Sequence, residues 1–298
     1  MTEAHPTPRR IALAGASGTI GAAVLRRLQA EGHEVAVVPR ATLAEPLALA
    51  RALAERACEV VISCIASRSG APRDAEAVDY EANARLLAAA QGAGAEQFIL
   101  LSAICVQRPR LAFQHAKLRF EAELAASGIG YTIIRPTAFF KSLSGQVKRV
   151  KVGKPFLIFG DGNLTRCKPI SDDDLARFIS ACIGNPEALG KVLPIGGPGP
   201  ALSLRDAGEL LFAAAGREPR FRSISPRIFD YAERLLSLGA PFSARFAEKA
   251  EYARIARYYA TESMLVLDPV SGEYSAELTP EFGSETLEGH YRRLLAEA

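Results

Sequence analysis

Gly15, Gly18 and Gly21 recur at three-residue steps in the string Gly15-Ala16-Ser17-Gly18-Thr19-Ile20-Gly21. The string follows an apolar run at 11–14 and precedes a stretch with helical spacing over 22–30. At such a strand-to-helix turn the first glycine makes the turn. The second lets backbone approach a pyrophosphate, and the third lets helix and strand pack closely. The helix start then offers N–H groups and the positive end of its dipole to phosphates. The chemistry expected is dinucleotide binding, with contacts from Gly15, Ser17, Gly18, Thr19 and Ile20. The next apolar run, 35–38, ends at Pro39-Arg40. NAD-preferring sites usually place an acid there, on the ribose hydroxyls. No acid occurs before Glu45, and Arg40 suits a 2′-phosphate, so NADPH is the cofactor expected. Ala66 and Ser67, past the run at 60–65, and Pro136, past the run at 131–134, are further expected cofactor contacts at strand ends.

These residues need a sheet to hold them. The runs at 11–14, 35–38, 60–65, 98–101 and 131–134 are continuous rather than alternating, and Ala-rich helical stretches separate them. That pattern predicts an α/β fold, a Rossmann-type doubly wound parallel sheet covered on both faces. Residues 41–46 are short where a third strand is expected, so that strand would be vestigial. The dinucleotide-binding core is expected over 8–140, with 170–197 returning to the sheet through the run at 191–195. A smaller, mainly helical substrate lobe is expected from 141–169 and 198–298. Ser171, ahead of three aspartates, and Ser203-x-x-Asp206 mark helix starts. Residues 226–259 read as mostly helical, and the first seven as a tail.

Composition narrows the function classes. With 298 residues, 49% hydrophobic and 23% charged, the chain excludes disorder, coiled coil and collagen. A net charge of +3 is too small for nucleic acid to be the main partner. Five cysteines, at 58, 64, 105, 167 and 182, show no C-x-x-C pair and read as reduced core thiols. The four histidines are scattered, so no metal site is expected. No apolar run approaches the roughly 20 residues of a membrane span, and no apolar signal core starts the chain. A cytoplasmic location is expected, with peripheral membrane contact left open.

The glycine string, the arginine after the second run and the Arg135-Pro136 pair resemble the extended and atypical short-chain dehydrogenases. Those proteins usually catalyse with Tyr-x-x-x-Lys. The matching register is Phe113-Gln114-His115-Ala116-Lys117, with the lysine present and the tyrosine replaced. The phenol that would protonate a ketone oxygen is therefore missing. Reduction of a carbon–carbon double bond, which creates no alkoxide, fits this register better. Longer strings resemble the NADPH-dependent divinyl chlorophyllide a 8-vinyl reductases. They are Leu-Leu-Ser-Ala-Ile-Cys-Val-Gln at 100–107, the register at 113–117 and Arg-Pro-Thr-Ala-Phe-Phe-Lys-Ser-Leu-Ser-Gly-Gln at 135–146. Others lie at 153–156, 159–162, 167–175, 193–197 and 259–264, so the resemblance covers roughly residues 9–295. Residues 41–57 depart most, being shorter than expected of that family.

The resemblance implies a magnesium porphyrinoid substrate of the divinyl chlorophyllide type, whose C8 vinyl group becomes ethyl. It also implies a place in chlorophyll or bacteriochlorophyll synthesis, at or near photosynthetic membranes. It implies that Lys117 bonds the nicotinamide ribose, with a proton-relay role as the alternative. Hydride added to the terminal vinyl carbon leaves charge spread over the ring. The proton then has three candidate sources, Lys117, His115 through water, and solvent. Ser102 stands at the carboxyl edge of the sheet and joins Lys117 and His115 as a catalytic candidate. Gln114 and His115 are candidates for approaching the pigment or its magnesium. Phe139 and Phe140 are candidates for stacking on the macrocycle. Lys141, with Lys148, Arg149 and Lys151, is a candidate for pairing with its propionate. The alternative reading, kept alive by the missing tyrosine, is a non-catalytic NADP-binding redox sensor or assembly factor.

Overall fold

The continuous apolar runs become strands, and the Ala-rich stretches between them become helices. The computed structural model describes residues 7–239 and 243–297. Six residues of the expected tail and residues 240–242 of the expected helical stretch lie outside them. In chain order the elements begin β1 (Arg10–Ala14), α1 (Thr19–Ala30), β2 (Glu34–Val38), α2 (Arg40–Ala44), α3 (Pro46–Glu55) and β3 (Val60–Ser63). Next come α4 (Pro72–Asp74), a π-helical turn (Ala75–Glu81), α5 (Ala82–Gly92), β4 (Gln97–Leu101), α6 (Ala112–Ala126) and β5 (Gly130–Pro136). Then follow α7 (Phe140–Leu143), α8 (Val147–Lys151), β6 (Phe156–Phe159), β7 (Arg166–Cys167), α9 (Asp172–Ala181) and β8 (Lys191–Ile195). The last are β9 (Leu202–Ser203), α10 (Leu204–Ala214), β10 (Phe221–Ile224), α11 (Arg227–Gly239), α12 (Ala244–Tyr259), β11 (Val266–Leu267), β12 (Tyr274–Ser275) and α13 (Leu287–Glu297).

The chain divides into two compact units. One comprises the residues up to Arg68, Pro72–Arg135 and Leu175–Leu193, and the other Ser69–Ala71, Pro136–Asp174 and the residues from Pro194 on. The main sheet has the order β2-β1-β3-β4-β5-β8. β1 pairs in parallel with β2 and β3, β3 with β4, and β4 with β5. Strand order reverses between β1 and β3, which makes the carboxyl end of β1 the switch point where ligands bind in such sheets. Leu49, Leu53, Val61, Leu86, Phe98 and Phe120 are among the side chains that pack the core of this unit. In the second unit, Phe140, Val150, Phe156, Leu211, Phe212 and Tyr291 form a separate core, beside a parallel pair of strands, β6 and β10.

The expected vestigial third strand is replaced by helix. Residues 40–55 fold as α2 and α3, with Pro46 at the first position of α3. Their Ala- and Leu-rich sequence has one β-branched residue, Thr42, and so lacks the residues that favour a pleat. The expected caps form. The Ser171 hydroxyl accepts from Asp174 N–H at 3.0 Å, and Ser203 and Asp206 make a capping box. The Asp174 side chain reaches outside the helix, where its Oδ2 accepts N–H bonds from Ser284 and Glu285. No helix among the described residues is long and apolar enough to cross a membrane.

Cys58, Cys167 and Cys182 are buried and unpaired. Burial pushes the Cys167 thiol up to about 12 and the Cys182 thiol up to about 11, and raises that of Cys58. A thiol reacts as thiolate, so Ellman's reagent at mildly alkaline pH is expected to spare these three in the native protein. It should reach them only on unfolding in guanidinium, and modification in the native state would contradict their packing.

Candidate cofactor and active site

The glycine turn is fixed by crowding. Gly15 sits at φ +85, and a Cβ on it would lie 2.5 Å from the Cys64 carbonyl oxygen, just past β3. A Cβ on Gly21 would lie 2.1 Å from the Gly15 carbonyl oxygen. Gly18 differs, since a Cβ there would meet only that same oxygen at 3.4 Å. The fold therefore demands glycine at 15 and 21, whereas at 18 the space is open on the outer side. Gly18 is also the N-cap of α1, brings no capping side chain, and is followed by no acid in the first turn. The first turn of α1 thus brings no negative charge to this dipole end, which fits an incoming pyrophosphate. Ser17, Gly18 and Thr19 are exposed around it, while the Ile20 side chain is buried in the core. Arg40 is exposed at the first position of α2, directly after β2 and Pro39.

Lys117 lies on α6 and is buried. Its Nζ is 3.0 Å from Asp79 Oδ1. Asp79 is buried too, and the same oxygen accepts the Ser67 N–H at 3.3 Å. Its second oxygen, Oδ2, is buried without a hydrogen-bond partner. Ser67 and Lys117, expected separately as cofactor contacts, are thus brought together through an acid that sequence reasoning missed. The available signal was the lysine itself: on an apolar helix face it needs a counter-ion. Asp79 escaped because it sits in the π-helical turn, where an extra residue shifts the phase of the helix. One turn on, Asn83 accepts the Ser63 hydroxyl at 2.5 Å and donates to the Asp79 carbonyl at 3.1 Å. That ties the end of β3 to the same turn. Ala66, in the loop after β3, is exposed.

Other expected site residues have partners within the chain. Gln114 is fully buried, and its Oε1 accepts N–H bonds from Arg110 at 2.7 Å and Leu111 at 2.9 Å. Its Nε2 donates to the Cys105 carbonyl at 2.9 Å. It locks the start of α6. The Ser102 hydroxyl donates to the buried Glu121 carboxylate, which Arg135 also grips. Its proton is committed to that network instead of facing a reacting group. Phe140 is 2% exposed in the second core, 5.4 Å from the His290 ring, so it packs instead of presenting a free face. Arg149 donates to the Pro155 carbonyl at 2.6 Å and Lys151 to the Leu295 carbonyl at 3.2 Å, which commits both to backbone. Phe113 is buried on α6, His115 is exposed on it, and Pro136 is buried at the end of β5. Phe139 is half-buried, and Lys141 and Lys148 are exposed. Among the described residues no group of three or more His, Cys, Asp or Glu side chains is placed to hold a metal ion.

Residues 15–186 match a family described as NAD(P)H-binding. The divinyl chlorophyllide a 8-vinyl-reductase of Oryza sativa subsp. indica is 46% identical over 98% of this chain and 80% of its own length. The Cucumis sativus protein of the same name is 52% identical over 80% of this chain and 58% of its own length. Among solved structures, an NADPH-dependent quinone oxidoreductase of Escherichia coli, complexed with NADPH, superposes with a TM-score of 0.65. It covers 95% of this chain and 99% of its own at 20% identity, a likeness of fold.

The Asp79–Lys117 pair can be tested by stability. Removing one partner of a buried pair leaves the other charge uncompensated, so Asp79→Ala is expected to cost about 3–5 kcal/mol in urea unfolding. Asp79→Leu with Lys117→Met removes both charges and should cost much less. Equal losses in the two variants would show that the pair is not electrostatically coupled.

Proposed function

Because the chain belongs to the divinyl chlorophyllide a 8-vinyl-reductase family and to the wider NAD(P)H-binding family, we propose that it is an NADPH-dependent oxidoreductase that reduces the C8 vinyl group of a divinyl chlorophyllide-type magnesium porphyrinoid to ethyl. One observation carries the chemical side of this reading. Position 113 is a buried phenylalanine, while Lys117 is retained and ion-paired. A site without the phenol is poorly equipped to protonate an alkoxide. Reduction of a conjugated double bond asks instead for position, one proton and a dry environment.

The bound NADPH supplies the hydride. The start of α1, open at Gly18, would hold the pyrophosphate, with Ser17, Thr19 and Ile20 offering backbone N–H groups and Gly15 making the turn. Exposed Arg40 would meet the 2′-phosphate, and Ala66, Ser67 and Pro136 would be further contacts. Asp79 holds Lys117 by its ammonium, and Lys117 would in turn orient the nicotinamide ribose. His115 and Lys117 are the candidate proton carriers, with solvent as the third source. Half-buried Phe139 and exposed Lys141 are the proposed substrate contacts. The pigment is largely apolar, so the reading includes contact of the protein with the membrane into which such a molecule partitions.

The direct test is a product assay with purified protein, NADPH and divinyl chlorophyllide. NADPH absorbance should fall as a product two hydrogens heavier accumulates. NADPH binding without turnover would instead favour a silent sensor or assembly factor. For cofactor choice, Arg40→Asp should weaken NADPH binding by about 1.5–3 kcal/mol or more, because a charged contact is replaced by repulsion. Titration with both cofactors should show NADH binding changed far less, and unchanged NADPH binding would sink the role of Arg40.

A further inference from the structure

In the second unit, α11 pairs with α12 and leaves one face bare. Ile228, Tyr231, Leu235 and Leu238 are 53%, 67%, 71% and 74% exposed. Their steps of three, four and three residues place them on one stripe of the helix. Four large apolar side chains along about 15 Å of helix, at 1.5 Å per residue, are more than scattered surface hydrophobics. The helix's other side is the packed one, where Phe229 meets the Phe159 ring at 5.4 Å. Beyond the end of α11, Phe246 of α12 lies over Gly239 and is itself 46% exposed, which extends the apolar surface.

The charges of α11 are sorted by side. Both of its inner acids are neutralised by α12. Arg257 Nε is 3.0 Å from Asp230 Oδ1, and Arg254 Nε is 2.8 Å from Glu233 Oε1. Arg227 and Arg234, seven residues apart, run along one flank of the apolar stripe and are exposed. On α12 the exposed charges near the same end are Arg245, Glu248 and Lys249, again positive in sum.

We propose that this face of α11 docks on an anionic lipid surface, with the apolar stripe at the headgroup boundary and Arg227 and Arg234 on the lipid phosphates. An apolar stripe flanked by arginines is the arrangement that holds an amphipathic helix in the plane of a membrane. A second copy of the chain fits the face less well. It would present the same two arginines, while the acids of α11 are already turned to α12. The biological use of the docking rests on the reading of the substrate as a lipid-partitioning pigment, but lipid binding itself does not.

The test is flotation of the full chain with vesicles of phosphatidylcholine alone, or of phosphatidylcholine mixed with an equal amount of phosphatidylglycerol. Binding is expected to the anionic vesicles and to fall with added salt. Leu235→Glu with Leu238→Glu should reduce it at least about tenfold, and Arg227→Glu with Arg234→Glu should do so for anionic vesicles. All four side chains are exposed, so the thermal midpoint should hold in both variants. Vesicle binding that is absent in the parent, or undiminished in the leucine variant, overturns the proposal whatever happens to reductase activity. So does a dimer in sedimentation velocity that the leucine variant abolishes. Reductase activity on detergent-dispersed pigment reports separately on the proposed reaction and leaves this outcome untouched.

Discussion

Gly15 has no spare room on either side, and much of the first unit is arranged around that fact. On one side its missing side chain admits the Cys64 carbonyl at the end of β3, and on the other its own carbonyl is overlaid by Gly21 of α1. Three elements, β1, β3 and α1, therefore meet within van der Waals contact at one point. That point is also where the strand order reverses. Because the contact is backbone on backbone, no side-chain rearrangement relieves an added methyl group. The crowding aims the start of α1 across the carboxyl ends of the strands, where its dipole can act on an anion.

The same constraint extends to the buried charges. Ser63, one residue before Cys64, is fixed by Asn83. Asn83 also caps the π-helical turn through the Val78 and Asp79 carbonyls. The turn then sets the Asp79 carboxylate against the Lys117 ammonium. A chain of short contacts thus runs from the glycine turn to the lysine on α6. A lysine held this way has already lost most of its rotamer freedom, and a side chain ordered in advance costs less to use in binding. The neighbouring Ser102–Glu121–Arg135 network does the equivalent task for the end of β4, and its buried hydroxyl and carboxylate are satisfied internally.

What the sequence made legible was local. Continuous apolar runs, the glycine string and the serine caps are short-range patterns, and each formed where it was expected. The failures came where a long-range or phase-shifting contact decides. Residues 41–46 stand in the order where a remnant strand is expected, yet their own Ala-rich propensity wins and makes helix. Asp79 was hidden by the π-helical turn, which breaks the periodicity that sequence reading depends on. The partners of Gln114 are not legible either, because an exposed and a buried amide look alike in sequence. Its three hydrogen bonds to backbone at the start of α6 depend on how the preceding loop folds back.

The aromatic residues of the second unit carry a related lesson about substrate recognition. Phenylalanines are frequent in this part of the chain, and a flat macrocycle invites reading them as stacking partners. Five of them meet one another instead. Phe221 lies edge-on to Phe156 at 6.2 Å and to Phe212 at 6.0 Å, and Phe159 meets Phe229 at 5.4 Å. Such pairs are worth roughly 0.5–1.5 kcal/mol beyond the area they bury, a real gain for a unit with a small core of its own. Phe140 is taken up in the same way, beside His290, whose Nε2 lies 3.0 Å from the Ser144 hydroxyl. Aromatic rings that hold a core together cannot also turn a face to a ligand without opening that core. For the proposed reductase, recognition of the pigment within this unit then falls to half-buried groups such as Phe139 and to aliphatic surface. Fit to a rigid, flat, apolar molecule comes in that case from the shape of the surface it meets, with few polar groups to fix its orientation.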